Sequence, residues 1–295
     1  LSDGFGLVFE GFGLVFLVRK NVAQSGLAVL LALGLAGAAR ADEAAVATPS
    51  ILSPGYVVTL SAQEMTGPLY PGANRYGYFG SPGIDVHRIG DPERFGTPDD
   101  NFGFAVYDTS WFRFGPVGKL LGDRNVNSFY ELHGLKTIGT TMEVGGFAEV
   151  NPLPFLRGRL EIRQGFGGYR GLVATLGGDI WDNWNSLTLS VGPRFNFGDS
   201  RFARAYFSVT PEESAANMAA GGSLTPYDAS GGLISGGVAA AARYQWSSAW
   251  RSTLFGSFQR LTPSEASSPI VTRDGAMDQF TGGLELAYSF SVTGF

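Results

Sequence analysis

The chain has 295 residues, 43 glycines and no cysteine; 16% of it is charged, 13% is aromatic, and the formal charge is −5. Soluble domains carry about 25% charged residues. Here a poverty of charge accompanies a mean hydropathy of only +0.06, as results when lipid-facing and lumen-facing positions alternate and cancel. The missing cysteine excludes disulfide frameworks, thiolate nucleophiles and Cys-ligated zinc, and the acidic balance argues against a nucleic-acid partner.

Arg19 and Lys20 precede an apolar run over residues 26–39, which ends in Ala39-Arg40-Ala41 before Asp42 and Glu43. This is the pattern of a secretory signal peptide, residues 19–41, cleaved after Ala41. The run is too short for a spanning helix, which needs about 20 residues. An N-terminal anchor is the competing reading, because residues 5–18 are also apolar; they repeat Gly-Phe-Gly-Leu-Val-Phe at 4–9 and 11–16. The chain opens on Leu1 rather than Met, and residues 1–18 are read as an upstream extension without a fold. Residues 42–53 form a short Ala/Thr/Pro-rich lead.

Alternation of period two begins at 54–65, with Tyr56, Val58, Leu60 and Ala62 on one face. Tyr70-Pro71-Gly72-Ala73-Asn74 is a turn cluster. A strand follows at 76–89, and then a stretch, 90–100, too rich in Pro, Gly and charge to cross a bilayer. Strands at 101–108 and 111–121 are aromatic and less regular. Residues 122–137 are the least strand-like part of the middle. Asp123, Asn125 and Asn127 invite comparison with a calcium loop there, but Ser128 and Gly134 stand where such a loop needs Gly and Glu, so no metal is expected. Further strands are expected at 141–150, 155–167, 171–180, 186–197, 201–210, 233–246, 250–261 and 279–290. In the last, Phe280, Leu284, Leu286, Tyr288 and Phe290 oppose Gln279, Thr281, Glu285 and Ser289. The lengths suit a tilted bilayer strand of about 9–11 residues. The expected fold over 54–290 is therefore all-β, a transmembrane antiparallel up-and-down β-barrel of about 12 strands, alternatively 10.

Such barrels have short periplasmic turns and longer extracellular loops. Counting back from Phe290 at the periplasmic end puts 247–249, 198–200 and 168–170 in periplasmic turns and 211–232 and 262–277 outside. It leaves 122–137 as an unusually long periplasmic connection. Asp123, Arg124, Glu131, His133 and Lys136 in it are candidates for docking a partner, with residues 90–100 as a further docking stretch. Arg159, Glu161 and Arg163 share an inner face, as do Asp179, Arg194, Arg204 and Arg243 on other strands. A charge turned toward lipid would cost about 2–4 kcal/mol at midplane, so Glu161, Arg163, Asp179, Arg194, Arg204 and Arg243 are the expected lumen lining. They either line a small wet channel or pair across it and close it. Tyr244 and Trp246 fall where an interfacial aromatic girdle belongs. His87 and His133 are the two histidines. Asp85-Val86-His87 imitates an acid-base pair without an accompanying serine motif, so no catalytic residue and no cofactor is expected.

Beyond these patterns, the run Arg163-Gln164-Gly165-Phe166-Gly167-Gly168-Tyr169-Arg170-Gly171 resembles the MltA-interacting protein family (MipA/OmpV) of Gram-negative outer membranes. So do Gly192-Pro193-Arg194, Tyr206-Phe207-Ser208-Val209-Thr210-Pro211, Tyr227-Asp228-Ala229, Ser268-Pro269-Ile270-Val271, and the closing Asp278-Gln279-Phe280 through Tyr288-Ser289-Phe290. The match runs from Tyr56 to Phe290 and is densest after Val144; residues 76–121 match poorly, and 291–295 extend past the family's end. The resemblance implies residence in the cell outer membrane, in contact with outer-membrane lipid. It implies a non-enzymatic scaffold for a murein lytic transglycosylase and a penicillin-binding protein, or the porin-like and envelope-stress roles of other members. It also implies that Tyr288 and Phe290 form the terminal signal read by the barrel-assembly machinery, with Phe295 as the alternative.

Overall fold

The computed structural model describes residues 55–91 and 94–293. The expected signal peptide, the extension before it, the lead after it and Phe295 lie outside the described residues. One sheet holds twelve strands: β1 (Tyr56–Pro68), β2 (Tyr76–Arg88), β3 (Phe102–Gly103), β4 (Tyr107–Asp108), β5 (Phe112–Leu121), β6 (Thr141–Leu153), β7 (Leu156–Gly167), β8 (Leu172–Trp184), β9 (Leu187–Gly198), β10 (Gly232–Gln245), β11 (Trp250–Leu261) and β12 (Asp278–Val292). From β5 to β12 each strand pairs with its successor. β12 then pairs with β1, Tyr56 opposite Val292 and Thr66 opposite Gly282. The result is a nearly closed antiparallel up-and-down barrel. β2 is one edge of the sheet, and β3 and β4, both paired to β5, form the other; no ladder joins these edges among the described residues. Pro82 lies in β2, where an edge tolerates its missing N–H.

The two faces of the wall separate as a bilayer requires. In β7, Leu160, Ile162 and Phe166 are 38%, 46% and 52% exposed, whereas Arg159, Glu161 and Arg163 between them are 7% or less. Ile180, Leu254 and Leu284 continue the exposed band on β8, β11 and β12. A water-soluble sandwich turns its apolar face inward. Here charge is inside and an apolar belt outside, the arrangement of a membrane barrel. Tyr244 and Trp246 are exposed at the end of β10, ring centroids 4.6 Å apart.

One expected strand is absent and another is broken. Residues 201–210 form helix α1 (Ser200–Phe207) instead, burying Phe202, Ala203, Tyr206 and Phe207, a helical spacing. Asp199 caps it, its carboxylate accepting from the N–H groups of Arg201 and Phe202 at 3.0 and 2.9 Å. Residues 101–108 are broken into β3 and β4. Between them the chain bulges, and the Phe104 carbonyl lies 1.9 Å from where a Cβ on residue 115 would stand, so only Gly115 fits.

Losing the 201–210 strand reverses the parity of connections before it. The short turn 247–249 does sit at the end that carries Tyr56 and Val292, here called the terminal end. The turn 168–170 and the segment 122–137 do not; they sit at the opposite, distal end with the loops 199–231 and 262–277, and 198–200 opens the first of these. These distal connections, with 69–75, pack into a cap around Tyr70, Phe129, Leu132, Tyr206, Phe207 and Ile270. The cap contains helices α2 (Pro211–Ala219), α3 (Pro263–Ala266) and α4 (Pro269–Asp274). A capping box between Thr210 and Glu213 starts α2. Gln279 of β12 ties cap to wall, accepting from Gly72 N–H at 3.1 Å and donating to the Ala73 and Ala276 carbonyls at 3.1 and 2.7 Å.

Candidate functional site

The chemistry concentrates in the lumen. Because side chains alternate along a strand, Arg157, Arg159, Glu161 and Arg163 of β7 all point inward, facing Glu143 and Glu149 of β6, Asp179 of β8 and Arg194 of β9. Arg159 pairs with Glu149 (3.2 Å) and Glu161 (2.9 Å), and Arg163 with Glu143 (2.8 Å) and Glu161 (2.5 Å). Arg113 of β5 joins at Glu149, 2.9 Å away. Such pairs are desolvated, so losing one partner is far costlier than at a surface.

Into this ring reaches a segment from the connection between β2 and β3. Asp100 accepts from Arg157 through both oxygens at 2.7 and 2.6 Å. Asp99 accepts from Arg194 Nε at 2.6 Å and Nη2 at 3.2 Å. Asn101 donates to Glu161 at 2.6 Å, and Arg243 of β10 donates to the Gly96 carbonyl at 2.7 Å. Phe95 stacks on Trp181 of β8 with centroids 4.1 Å apart, and the Arg157 and Arg243 guanidiniums lie 5.9 and 6.0 Å from its ring. Burial opposes ionisation of Asp100, but Arg157 and then Arg159 outweigh it and hold the carboxyl well below the usual carboxylate range.

The inserted segment spans the lumen. Thr97, Pro98 and Asp99 share one cavity of about 50 Å³ with Met65, Phe255 and Thr281 of the far wall, and a second cavity, about 20 Å³, lies among Asp100, Arg157 and Arg194. These spaces suit a few waters. A concavity of about 1060 Å³ lies elsewhere: Ile180, Leu189, Val191, Ala240, Ala242 and Leu254 line it on the membrane face.

Pro193 explains one local irregularity. It has no N–H, and the β8–β9 ladder is interrupted between Gly177 opposite Arg194 and Ile180 opposite Val191, the register being the same on both sides. The next side chain compensates, with Arg194 Nη1 donating to the Gly178 carbonyl at 2.9 Å. A Cβ on Gly192 would fall 1.7 Å from that same carbonyl, so the strands approach here only because residue 192 has none.

Of the expected lumen residues, Glu161, Arg163, Asp179, Arg194 and Arg243 face the interior. Arg204 does not: it lies on α1 in the cap, 61% exposed, paired at 3.3 Å with Asp228. The expected docking residues are built into the cap. Arg124 is buried, donates to the Tyr206 carbonyl at 2.9 Å, and sits between the Tyr70 and Tyr206 rings, 5.8 Å from each. Asn217 of α2 donates to the Glu131 and His133 carbonyls at 3.1 and 2.7 Å, Glu131 pairs with Arg75, and Lys136 N–H donates to Glu213 at 3.1 Å. Asp123 is exposed on the same distal surface. His87 and Asp85 do meet, at 3.3 Å, on exposed β2, with no further hydrogen-bond partner for His87 among the described residues.

Sequence reading missed Asp99, Asp100, Arg113, Glu143, Glu149 and Arg157. The signal was an excess of inward arginines on β7, which needs carboxylates from elsewhere, beside an Asp-Asp pair in a stretch too polar for a strand.

The family model for MltA-interacting protein MipA matches residues 60–290, from β1 into β12. The chain belongs to this family. Together with the exposed apolar belt, that membership makes it an outer-membrane barrel. No curated protein matches the chain. Among solved structures, the CymD monoaromatic hydrocarbon channel is similar at 11% identity, covering 81% of this chain and 88% of that one, with a TM-score of 0.34. The toluene transporter TbuX of Ralstonia pickettii shares 8% identity over 81% and 89%, TM-score 0.27. OccK11 of Pseudomonas aeruginosa shares 8% over 81% and 96%, TM-score 0.26. Likeness this distant assigns no solute. In the MipA-family chain the run 163–171 has a clear local role: the Tyr169 ring packs against Gly165, where a Cβ would stand 2.6 Å from it, and its hydroxyl donates to Glu143, the partner of Arg163.

Proposed function

We propose that this MipA-family barrel is non-enzymatic and acts by contact, holding a murein lytic transglycosylase, and with it a penicillin-binding protein, at its periplasmic rim. The observation that carries the reading is the occupied lumen: residues 95–101 reach into it and are held by ion pairs to β7 and β9 and a hydrogen bond from β10. An interior occupied in this way favours contact at surfaces over a path. The family's description as MltA-interacting supports the class of partner. Short turns and chain ends mark the periplasmic end of outer-membrane barrels, which puts the cap outside and moves the docking face away from 122–137. Among the described residues, Trp111 before β5 is 61% exposed at the terminal end and Tyr107 of β4, 50% exposed, stacks on Phe114 beside it, ring centroids 5.6 Å apart, and large exposed aromatics are preferred anchors at interfaces. The test is binding of a purified lytic transglycosylase to the barrel in nanodiscs. Tyr107→Ala with Trp111→Ala should weaken it at least about tenfold; undiminished binding would remove this face, and no binding by the unaltered barrel would remove the role.

A regulated porin is the second reading, favoured by one fact: the closure is made by an inserted segment, not by wall strands. Planar-bilayer recordings discriminate, since steady conductance by the unaltered protein would replace the contact role.

A further inference from the structure

The inserted segment is also informative for what it touches. Arg157 and Arg194 stand side by side across β7, β8 and β9, bridged by Asp179 at 3.3 and 2.7 Å. The wall alone fixes both: Glu149 holds Arg157 Nε at 2.9 Å, and the Gly178 and Pro193 carbonyls hold Arg194 Nη1 at 2.9 and 3.0 Å. What the segment adds is two carboxylates on consecutive residues, each straddling or gripping one guanidinium. Asp99 meets Arg194 in the two-bond geometry that arginine offers to carboxylates. Thr97 Oγ1 accepts from both arginines at 3.4 and 3.5 Å.

Charge supports the same reading. The wall around the segment contributes the arginines at 113, 157, 159, 163, 194 and 243 against carboxylates at 143, 149, 161 and 179, and Asp99 and Asp100 make up the difference of two. A wall that balanced itself would have no use for a carboxylate pair from outside. One in cationic excess, with a pre-oriented guanidinium pair that its own carboxylates only partly engage, will take an anion of matching spacing whenever the inserted pair is withdrawn.

We propose that Arg157 and Arg194 form a binding site for a small dicarboxylate or acidic peptide, and that Asp99 and Asp100 occupy it as an internal stand-in for that ligand. The site is independent of the docking role, since it lies inside the lumen and not on the rim. Entry is from the terminal end, where the segment itself enters. A covalently attached occupant competes at high effective concentration, so affinity in the unaltered protein is reduced by the fraction of time the segment is in place.

The test is calorimetric titration of the full barrel in detergent with two probes, N-acetyl-Asp-Asp-amide and succinate, and with N-acetyl-Asn-Asn-amide as control. Asp99→Asn with Asp100→Asn should bind the acidic peptide at least about tenfold more tightly than the unaltered chain, and adding Arg194→Met should abolish that gain. Phe95→Ala, which loosens the segment without altering any charge, should raise affinity in the same direction. Succinate equal to the peptide means that the site reads the carboxylate pair alone; a preference for the peptide means that it reads backbone as well, and both support the site. Heat-dependent gel mobility confirms that each variant is a folded barrel. Equal affinity with and without the Asp pair, no binding to either folded loosened variant, or equal binding of the Asn control would overturn the proposal.

Discussion

Replacing Arg157 by Met tests the reading of the lumen as an interdependent charge network. The arginine side chain is fully buried and touches Asp100, Glu149 and Asp179. Three orphaned carboxylates do not mean three full penalties. Glu149 keeps Arg113 and Arg159, and Asp179 keeps Arg194, whereas Asp100 is left with one cation, Arg159 at 3.7 Å, and the Thr97 N–H at 3.0 Å. The loss should therefore resemble one broken buried pair, about 3–5 kcal/mol. At a urea slope near 2 kcal/mol/M the unfolding midpoint in detergent falls by about 2 M, followed by tryptophan fluorescence. Adding Asp100→Asn removes the orphan, so the double variant should recover part of the loss, with a coupling of roughly 0.5–3 kcal/mol. A cost below about 1 kcal/mol, the range of exposed pairs, or no recovery in the double variant, would refute the network and its centre at Asp100.

Arg204→Ala should change stability by less than about 1 kcal/mol, because its pair with Asp228 is open to water; a buried-pair loss in the same urea series would contradict its place on the cap. Gly134→Val should loosen the cap, since φ is +90° there and a Cβ would stand 2.4 Å from Asn217 N. Limited proteolysis should cut 122–137 faster while the barrel keeps its folded gel mobility, and unchanged protection would count against the packing. Burial, with Glu131 adding, pushes the Tyr70 hydroxyl up to about 12, and burial does the same to Tyr206. Both contribute full stability below pH about 10, their ordinary range, and lose it as pH rises toward 12. Ultraviolet titration of Tyr70→Phe against the parent checks this, and a phenolate forming near pH 10 at Tyr70 would be the contrary result. Tyr288→Ala with Phe290→Ala should reduce the inserted fraction in outer membranes; full insertion would place the assembly signal elsewhere, such as at Phe295.

From Thr141 onward the wall was legible because lipid selects one face: Leu160 and Ile162 between Arg159, Glu161 and Arg163 leave no other pattern to choose. Helix α1 was not legible by alternation, since Phe202 and Tyr206 occur at even spacing among smaller residues and satisfy period two as well as period 3.6. Asp199 before Ser200 was the discriminating signal, a capping residue where a strand needs none. That one misreading carried Arg204 into the lumen and 122–137 to the wrong end. The inserted segment was hidden for a different reason. Nothing local in Thr97-Pro98-Asp99-Asp100 distinguishes a solvated loop from one inside a barrel; the distinction lies in partners on β7 and β9 that are distant in sequence.

The ladder between β12 and β1 joins the first described strand to the last. During synthesis it is consequently the final seam available, made only after residues 94–101 and the arginines of β7 and β9 exist. Asp99, Asp100, Arg157 and Arg194 can find one another on an open, curling sheet, and β1 then pairs with β12. No guanidinium has to be drawn through a finished wall, where each would cost about 2–4 kcal/mol at mid-membrane depth. The order of strands along the chain thus lets the charged interior be neutralised before the container shuts.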